Sequence, residues 1–317
     1  MFESLVIDWL KEASVSAVAR NLGLSWNAID GIMKRAVERG LSRRAKTKPQ
    51  HISIDETSFQ RRHEYVTVVT DQKHGHVLYI GDDRTKETLV EYYKNLGKAG
   101  CRRILSVSMD MWQGYIGATR EYVPNADSII CFDKFHVAQY LGDAVDKVRR
   151  KENKELLQNG DETLKGSRYY WLQNPINMDS KTEQEFEAIR DSSLRTAKAW
   201  AIKEHAMCLW NYTYRAVATK HWTFWYNWAR STDLEPVHKA AETIKNNLWG
   251  IVNAIALKRT NAAAESMNSR IQRLKSPARG FRVEHVSKLS SSSTVLILSC
   301  IRRFIHIFIP HELGKTQ

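Results

Sequence analysis

Cysteine is scarce in this sequence and never paired. The four residues Cys101, Cys131, Cys208 and Cys300 show no C-x-x-C spacing, which argues against a zinc ribbon and a disulfide framework and suits a reducing cytoplasm. Long apolar runs are missing as well. The stretch Val295 to Pro310 is broken by Arg302 and Arg303, so it is not a membrane span. The start, Met1 to Trp9, is too short and too charged for a signal peptide. Strict repeats and low-complexity tracts are absent apart from Ser290 to Ser293. Acid is in short supply relative to base, with 35 Asp and Glu against 48 Lys and Arg and a net charge of +13 over 317 residues. Such an excess fits a polyanionic partner. Nucleic acid ranks ahead of an acidic membrane because no lipid-anchoring signal is present.

What is there is organised around His51 to Ile80. Three β-branched and aromatic runs begin at His51, Tyr65 and His76, separated by polar or glycine-bearing turns. They predict three consecutive antiparallel strands. In the first, Ile52 and Ile54 face one side while Ser53 and Asp55 face the other. That places the Asp55 carboxylate at a strand end among apolar neighbours, where it needs a cation or a donor. Glu56 faces the opposite side and is the weaker candidate. An amphipathic helix, Thr85 to Leu96, follows, capped by Asp83 or Thr85 and closed by Gly97 and Gly100. Ile104 to Asp110 is a fourth strand ending in an acid. A helix from Trp112 to Glu121 leads to a fifth strand, Ser128 to Asp133, and a long charged helix begins at Phe135. This order implies a mixed five-stranded sheet covered by helices, an α/β fold.

Ahead of the strands, Ser14 to Gly40 carries a helix-turn-helix pattern. Val18, Ala19 and Leu22 form the inner face of one helix, Gly23 makes the turn, and Ser25 caps a second helix with Ile29, Ile32 and Met33 inward. Trp26, Asn27, Asp30 and Lys34 are expected on the outer, groove-reading face. Arg43 and Arg44 open a basic linker suited to phosphate. The alternative is an ordinary helical hairpin. From about Arg149 to Leu257 the chain is helical and rich in aromatics, including the run His221 to Trp228. That stripe reads as core, with base stacking as the sharper alternative. A further helix starts near Asn261 and lines up Asn261, Glu265 and Asn268 on one face. Arg270, Arg273, Lys275, Arg279 and Arg282 follow, in a segment with a local excess of about eight positive charges from Ile251 to the end.

Asp55 and Asp110 end strands that a sheet of this order sets side by side, so their carboxylates are expected to converge, and Glu265 brings a third. Three converging carboxylates need compensation, and two divalent ions supply it. Magnesium favours few carboxylates completed by substrate phosphate oxygens. Simpler roles exist for each acid. Asp55 could meet a backbone donor, Asp110 could cap the helix at Trp112, Asp133 could cap the helix at Phe135, and Glu265 could be a surface residue. His136, in the first turn of that helix, stands either near the reacting groups or in a structural hydrogen bond.

The stretches Ile54-Asp55-Glu56, Ser108 to Trp112, Asp133 to His136, and Asn261 through Glu265 and Asn268 to Gly280-Phe281-Arg282 together resemble the ISL-three family of DDE-type insertion-sequence transposases. The resemblance implies an RNase H-like catalytic domain with an all-helical insertion. It implies a metal triad of Asp55, Asp110 and Glu265 holding two Mg²⁺ or Mn²⁺ ions, with Asp133, His136, Asn261 and Asn268 around it. DNA contacts are expected from Trp26, Asn27, Lys34, Arg43, Arg44, Arg270, Arg273, Lys275, Arg279 and Arg282. It further implies cleavage and strand transfer at terminal inverted repeats, a homodimer or larger assembly on DNA, and a bacterial, nucleoid-associated location. The expected layout is a helix-turn-helix and linker over 1–48, catalytic core over 49–148, insertion over 149–257, the glutamate helix over 258–285 and an atypical tail over 286–317. Family members carry a cysteine-rich segment ahead of the helix-turn-helix. This sequence begins almost at that motif, which suggests a truncated copy with intact catalytic residues. The competing classes are a DNA-binding regulator with an inert nuclease-like domain and a structure-specific nuclease of the same fold.

Overall fold

The structure, a computed structural model, describes residues 2–43, 48–58, 65–173, 175–192, 194–260 and 269. These fall into two compact units. One holds the described residues up to 105 together with 117–124 and 269, and the other holds 106–116 with the described residues from 125 to 260.

The first unit opens with three helices, α1 (Phe2–Glu12), α2 (Val15–Leu22) and α3 (Trp26–Arg43). Ser14 caps α2, its hydroxyl accepting the Ala17 N–H at 3.3 Å, and Ser25 accepts the Ala28 N–H at 3.2 Å at the start of α3. Gly23 adopts φ 64°, ψ 27° at the end of α2, a left-handed conformation that an L side chain resists. The expected inner residues Val18, Ala19, Ile29, Ile32 and Met33 are all buried, and Leu22 packs against them. The sequence reading had no counterpart to α1. Its Val6 and Leu10 are fully buried in the same cluster, so the helix-turn-helix is part of a three-helix core and not a bare hairpin.

Strands β1 (His51–Ser58), β2 (Tyr65–Asp71) and β3 (His76–Asp82) form the expected antiparallel meander. Asp55 stands opposite Val68 in the β1–β2 register. At the β2–β3 turn, the Asp71 carboxylate accepts the N–H groups of Lys73 and His74 at 2.8 and 3.3 Å, which closes the hairpin locally. Helix α4 (Lys86–Cys101) is capped by Thr85. Gly97 interrupts it with φ 72°, ψ 164°. The chain then resumes one more turn to Cys101, so the first glycine kinks the helix where the sequence reading ended it.

Strands β4 (Ser106–Met109) and β5 (Ile130–Phe132) complete a five-stranded sheet of order β3-β2-β1-β4-β5. Between them lie α5 (Gln113–Tyr122) and a short helix, α6 (Ala126–Ile129). Residues 128 and 129, expected to begin the fifth strand, belong instead to α6. The hydroxyl and N–H of Ser128 both bond the Asn125 carbonyl, at 2.8 and 2.9 Å, and turn the chain there. The β4–β5 pair is parallel, with Val107, Ser108 and Met109 opposite Ile130, Cys131 and Phe132.

From α7 (Lys134–Gln158) onward the second unit is helical: α8 (Arg168–Leu172), α9 (Ser180–Arg190), α10 (Arg195–Cys208), α11 (Arg215–Arg230), α12 (Glu235–Asn246) and α13 (Leu248–Leu257). Aromatics fill much of its interior. Phe186 meets Trp171 and Trp200 edge-on at 5.0 and 5.1 Å, and Trp222 meets Trp225 at 5.3 Å. Helix α13 seats on β5. Gly250 lies so close to Phe132 that an added Cβ would fall 2.4 Å from its ring. Buried Asn253 donates to the carbonyls of Asp127 and Ile130, both at 2.8 Å. No helix among the described residues is long and apolar enough to cross a membrane.

Buried charge holds the helical unit together as well. Leu194, which precedes α10, offers its helix no side-chain cap. Glu152 of α7 supplies one from outside. Its carboxylate accepts the N–H of Arg195 and the N–H and hydroxyl of Thr196 at 2.8, 2.8 and 2.6 Å, an acid at a helix N-terminus. Removing it strands two buried donors, each costing about 1–3 kcal/mol. Glu152→Ala is therefore expected to lower stability by about 2–4 kcal/mol, read as a drop in the urea midpoint, while Glu155→Ala on the open flank changes it by about 1 kcal/mol or less.

Candidate active site and nucleic-acid interface

Parallel strands deliver their carboxyl ends to one edge, which is where α/β sheets place their sites. Asp110 follows the last residue of β4, and its Oδ1 accepts the Met111 N–H at 2.6 Å. Across the edge, the Asp133 N–H donates to the Met109 carbonyl at 3.2 Å. Buried Asp133 then caps α7, accepting the Phe135 N–H at 3.3 Å, as expected of it. One turn into α7, the Nδ1 of His136 comes to 3.9 Å from the Asp110 carboxylate. That is too long for a hydrogen bond but well within range of a charge interaction when the ring is protonated. Both side chains keep partial access to solvent, 15% for Asp110 and 23% for His136. Phe135, 58% exposed, stands edge-on to the His136 ring at 5.9 Å. Cys131 offers no competing nucleophile, because burial pushes its thiol up to about 12.

Asp55 does not end its strand. It is the fifth of eight residues in β1, with Glu56, Thr57 and Ser58 continuing the pairing to β2. The β-rich run simply extends further than the alternation suggested. Asp55 is half-buried, and its Oδ1 accepts the Glu56 N–H at 2.8 Å, the same turned-back arrangement as Asp110. Glu56 is engaged elsewhere, in an ion pair with Arg84 at 2.9 Å. Glu265, Asn261, Asn268, Arg270, Arg273, Lys275, Arg279 and Arg282 lie outside the described residues. Among the described residues, no three His, Cys, Asp or Glu side chains form a group that could hold a metal ion. The donor chemistry at Asp110 still fits a hard divalent cation: a partly open carboxylate, fixed through its own backbone, with no thiolate taking part.

On the helix-turn-helix, the outer face differs from expectation at two positions. Asn27 is exposed, but Asp30 is buried at 9% and Trp26 is half-buried against the three-helix core. At 100° per residue, Trp26 and Asp30 fall on the flank of the Ile29–Met33 face, and α1 widens the buried arc to include them. The side chains of Lys34 and Arg43, and all of Arg44, lie outside the described residues. Arg35 and Arg39 of α3 are both drawn to Glu3 of α1, at 2.6 and 2.7 Å. Their hydrogen bonds hold the Glu3 carboxyl below the usual carboxylate range.

With this geometry in place, comparison with known proteins is decisive. Residues 52–287 match the DDE domain of the ISL3 family, described as a transposase, and residues 1–37 match the helix-turn-helix domain of transposase family ISL3. The chain belongs to the ISL3 transposase family. It is similar to the transposase for insertion sequence element IS1001 of Bordetella parapertussis, 27% identical over 86% of this chain and 68% of that protein. The transposase for insertion sequence element IS1557 of Mycobacterium tuberculosis is 26% identical over 87% of this chain and 67% of its own length. Membership makes this a DDE-type nucleic-acid-processing enzyme with a DNA-binding helix-turn-helix, and DDE domains use divalent metal.

Two structural anchors of this transposase domain escaped the sequence reading, Asn253 and Glu152. Neither sits in a motif. The one available signal was a polar residue inside an otherwise apolar helical face, Asn253 within Leu248 to Leu257. At the helix-turn-helix, Trp26→Ala is expected to destabilise the three-helix core by about 3 kcal/mol. Asn27→Ala should leave the melting temperature within a degree or two of wild type and weaken binding to duplex DNA. Thermal melting alongside a mobility-shift titration separates the two.

Proposed function

We propose that this transposase cuts DNA at the ends of its insertion sequence and joins the freed 3′ hydroxyl to target DNA, with Asp55, Asp110 and Glu265 as its metal-binding carboxylates. The observation that carries this reading is the pairing of Asp110 with His136 at the carboxyl edge of β4 and β5, in a chain of the DDE family. The neighbouring places of β1 and β4 in the sheet order support Asp55 as the second acid. The relatives' names, each a transposase for an insertion sequence element, support the substrate.

Asp55, Asp110 and Glu265 would hold two Mg²⁺ or Mn²⁺ ions, which would supply positive charge for phosphoryl transfer. The chain's own residues prepare that chemistry. Asp110 is oriented by the Met111 N–H before substrate arrives, so little reorganisation is needed. His136 can donate to a phosphate oxygen or hold a proton beside the leaving group. Asp133 fixes the start of α7 and thereby the position of His136. The sequence spacing of Asn261 and Asn268 around Glu265 suits them to orient it or to touch DNA. Arg270, Arg273, Lys275, Arg279 and Arg282 bind phosphates, while Asn27, Lys34, Arg43 and Arg44 hold the terminal repeats. The working form is a dimer or larger, since two ends must be held at once. The proposed domain layout sets an insertion over 149–257 between Asp110 and Glu265. The setting is the nucleoid of a bacterial cytoplasm.

The test is cleavage and strand transfer on a fragment carrying the element's own ends, with Mg²⁺, for wild type and Asp110→Asn. Asp110→Asn is expected to lose at least about a hundredfold in rate with end binding unchanged. Cleavage untouched by the substitution would place the active site elsewhere. Equal binding with no cleavage by either protein would make the chain a DNA-binding regulator.

A further inference from the structure

Resting on that reading, we infer that the outward face of α11 and the residue that leads into it form a stacking surface for unpaired DNA bases, built around Phe224 on the helix and Tyr214 just before it, with Lys220 between them in sequence. Three large apolar side chains stand out there: Tyr214 is 75% exposed, Phe224 68% and Val217 40%. The inward face of α11 explains why Val217 and Phe224 cannot turn away. Ala218, Trp222, Trp225 and Ala229 are buried at spacings of three and four, and the Trp225 indole N–H donates to the Ile202 carbonyl at 2.9 Å. The helix is thereby locked about its axis, and the row Val217, Lys220, Phe224, Asn227 is held outward at spacings of three and four.

Charge selects the partner. Residues 205–232 contain no Asp or Glu, while Arg215, Lys220 and Arg230 fall within them. Arg230 is paired with Glu242 of α12 at 3.6 Å and Arg215 donates to Asn253, so Lys220 is the cation of the row. Lys220 is exposed in the middle of the row. Beside it, Tyr212 and His221 already stack at 4.5 Å with 19° between their planes. A protein partner would need about 800 Å² from each side to bind stably, and a row of three separated apolar side chains offers far less. Base stacking needs one ring per base and a cation for the phosphate. Tyr214 and Phe224 are ten residues apart, about 15 Å along the axis, room for about four stacked nucleotides. In an enzyme that opens a strand at its cut site, unpaired bases next to the break are the matching ligand.

The test uses the full chain in EDTA, so that no cleavage occurs. The probe is a duplex with a short single-stranded overhang carrying 2-aminopurine, read by fluorescence quenching and anisotropy beside a blunt duplex. The double variant Tyr214→Ala, Phe224→Ala is expected to lose the quench and to weaken overhang binding about tenfold or more, with blunt-duplex binding within about twofold. Tyr214→Ala with Phe224→Trp should restore part of the quench, and both variants should melt like wild type because the positions are exposed. Unchanged quench and overhang affinity in the double variant would overturn the inference. So would a wild-type dimer in DNA-free sedimentation that the double variant converts to monomer. Failure of the transposase reading is seen separately, in the cleavage assay.

Discussion

Parallel pairing of β4 with β5 is the constraint from which the described part of the site follows. Two strands running the same way must end at the same edge, and the register of Met109 against Phe132 sets Asp110 and Asp133 level with each other. The bond from the Asp133 N–H to the Met109 carbonyl carries the pairing one residue past the strand. Capping by Asp133 then starts α7 at once, and its first turn brings His136 up to Asp110. A meeting of residues 26 apart in sequence is thus produced by the register of one parallel pair, one backbone bond beyond it and one cap. Because backbone geometry does the positioning, the Asp110 carboxylate and the His136 imidazole stay partly open for chemistry.

Packing behind β5 reinforces the same arrangement. Gly250 lets α13 approach the Phe132 ring, Trp249 meets that ring edge-on at 4.9 Å, and Asn253 ties the helix to the carbonyls that enter the strand. The helical unit beyond is held by a different means. Its aromatic interior supplies burial without much directionality, and buried charges supply the direction: Glu152 on the start of α10, Asp146 with Arg149 at 2.9 Å, and Lys203 donating to the Trp171 carbonyl at 2.9 Å. Each is paired, as a buried charge must be. Such an interior resists sliding and holds Phe224 on the outward side of α11.

Much of this was readable from residue order. Period-two alternation located β1, β2 and β3, and the Gly23 and Ser25 signals located the turn between α2 and α3. Asp133 as a cap followed from its place between a β-run and a charged helix. What was not readable shares a cause: it depends on partners distant in sequence. Helix α1 looks unremarkable alone, and only its burial of Val6 and Leu10 against α3 makes it part of the fold. That burial also draws in Asp30 and half of Trp26, which a two-helix picture leaves outside. Asp55 looked terminal because the pairing of Ser58 with Tyr65 is not visible in one strand. Glu152 as a cap for α10, 43 residues away, has no local signature at all.

The central claim is that Asp55, Asp110 and Glu265 hold one divalent-metal site. Replacing Mg²⁺ with Fe²⁺ on the DNA-bound protein and generating hydroxyl radicals cuts the polypeptide next to the bound ion, and the fragments can be sized directly. Cuts near residues 55, 110 and 265 together, all suppressed by excess Mg²⁺, are the predicted result. Cuts confined to one of these places, or clustered elsewhere in the chain, would contradict it.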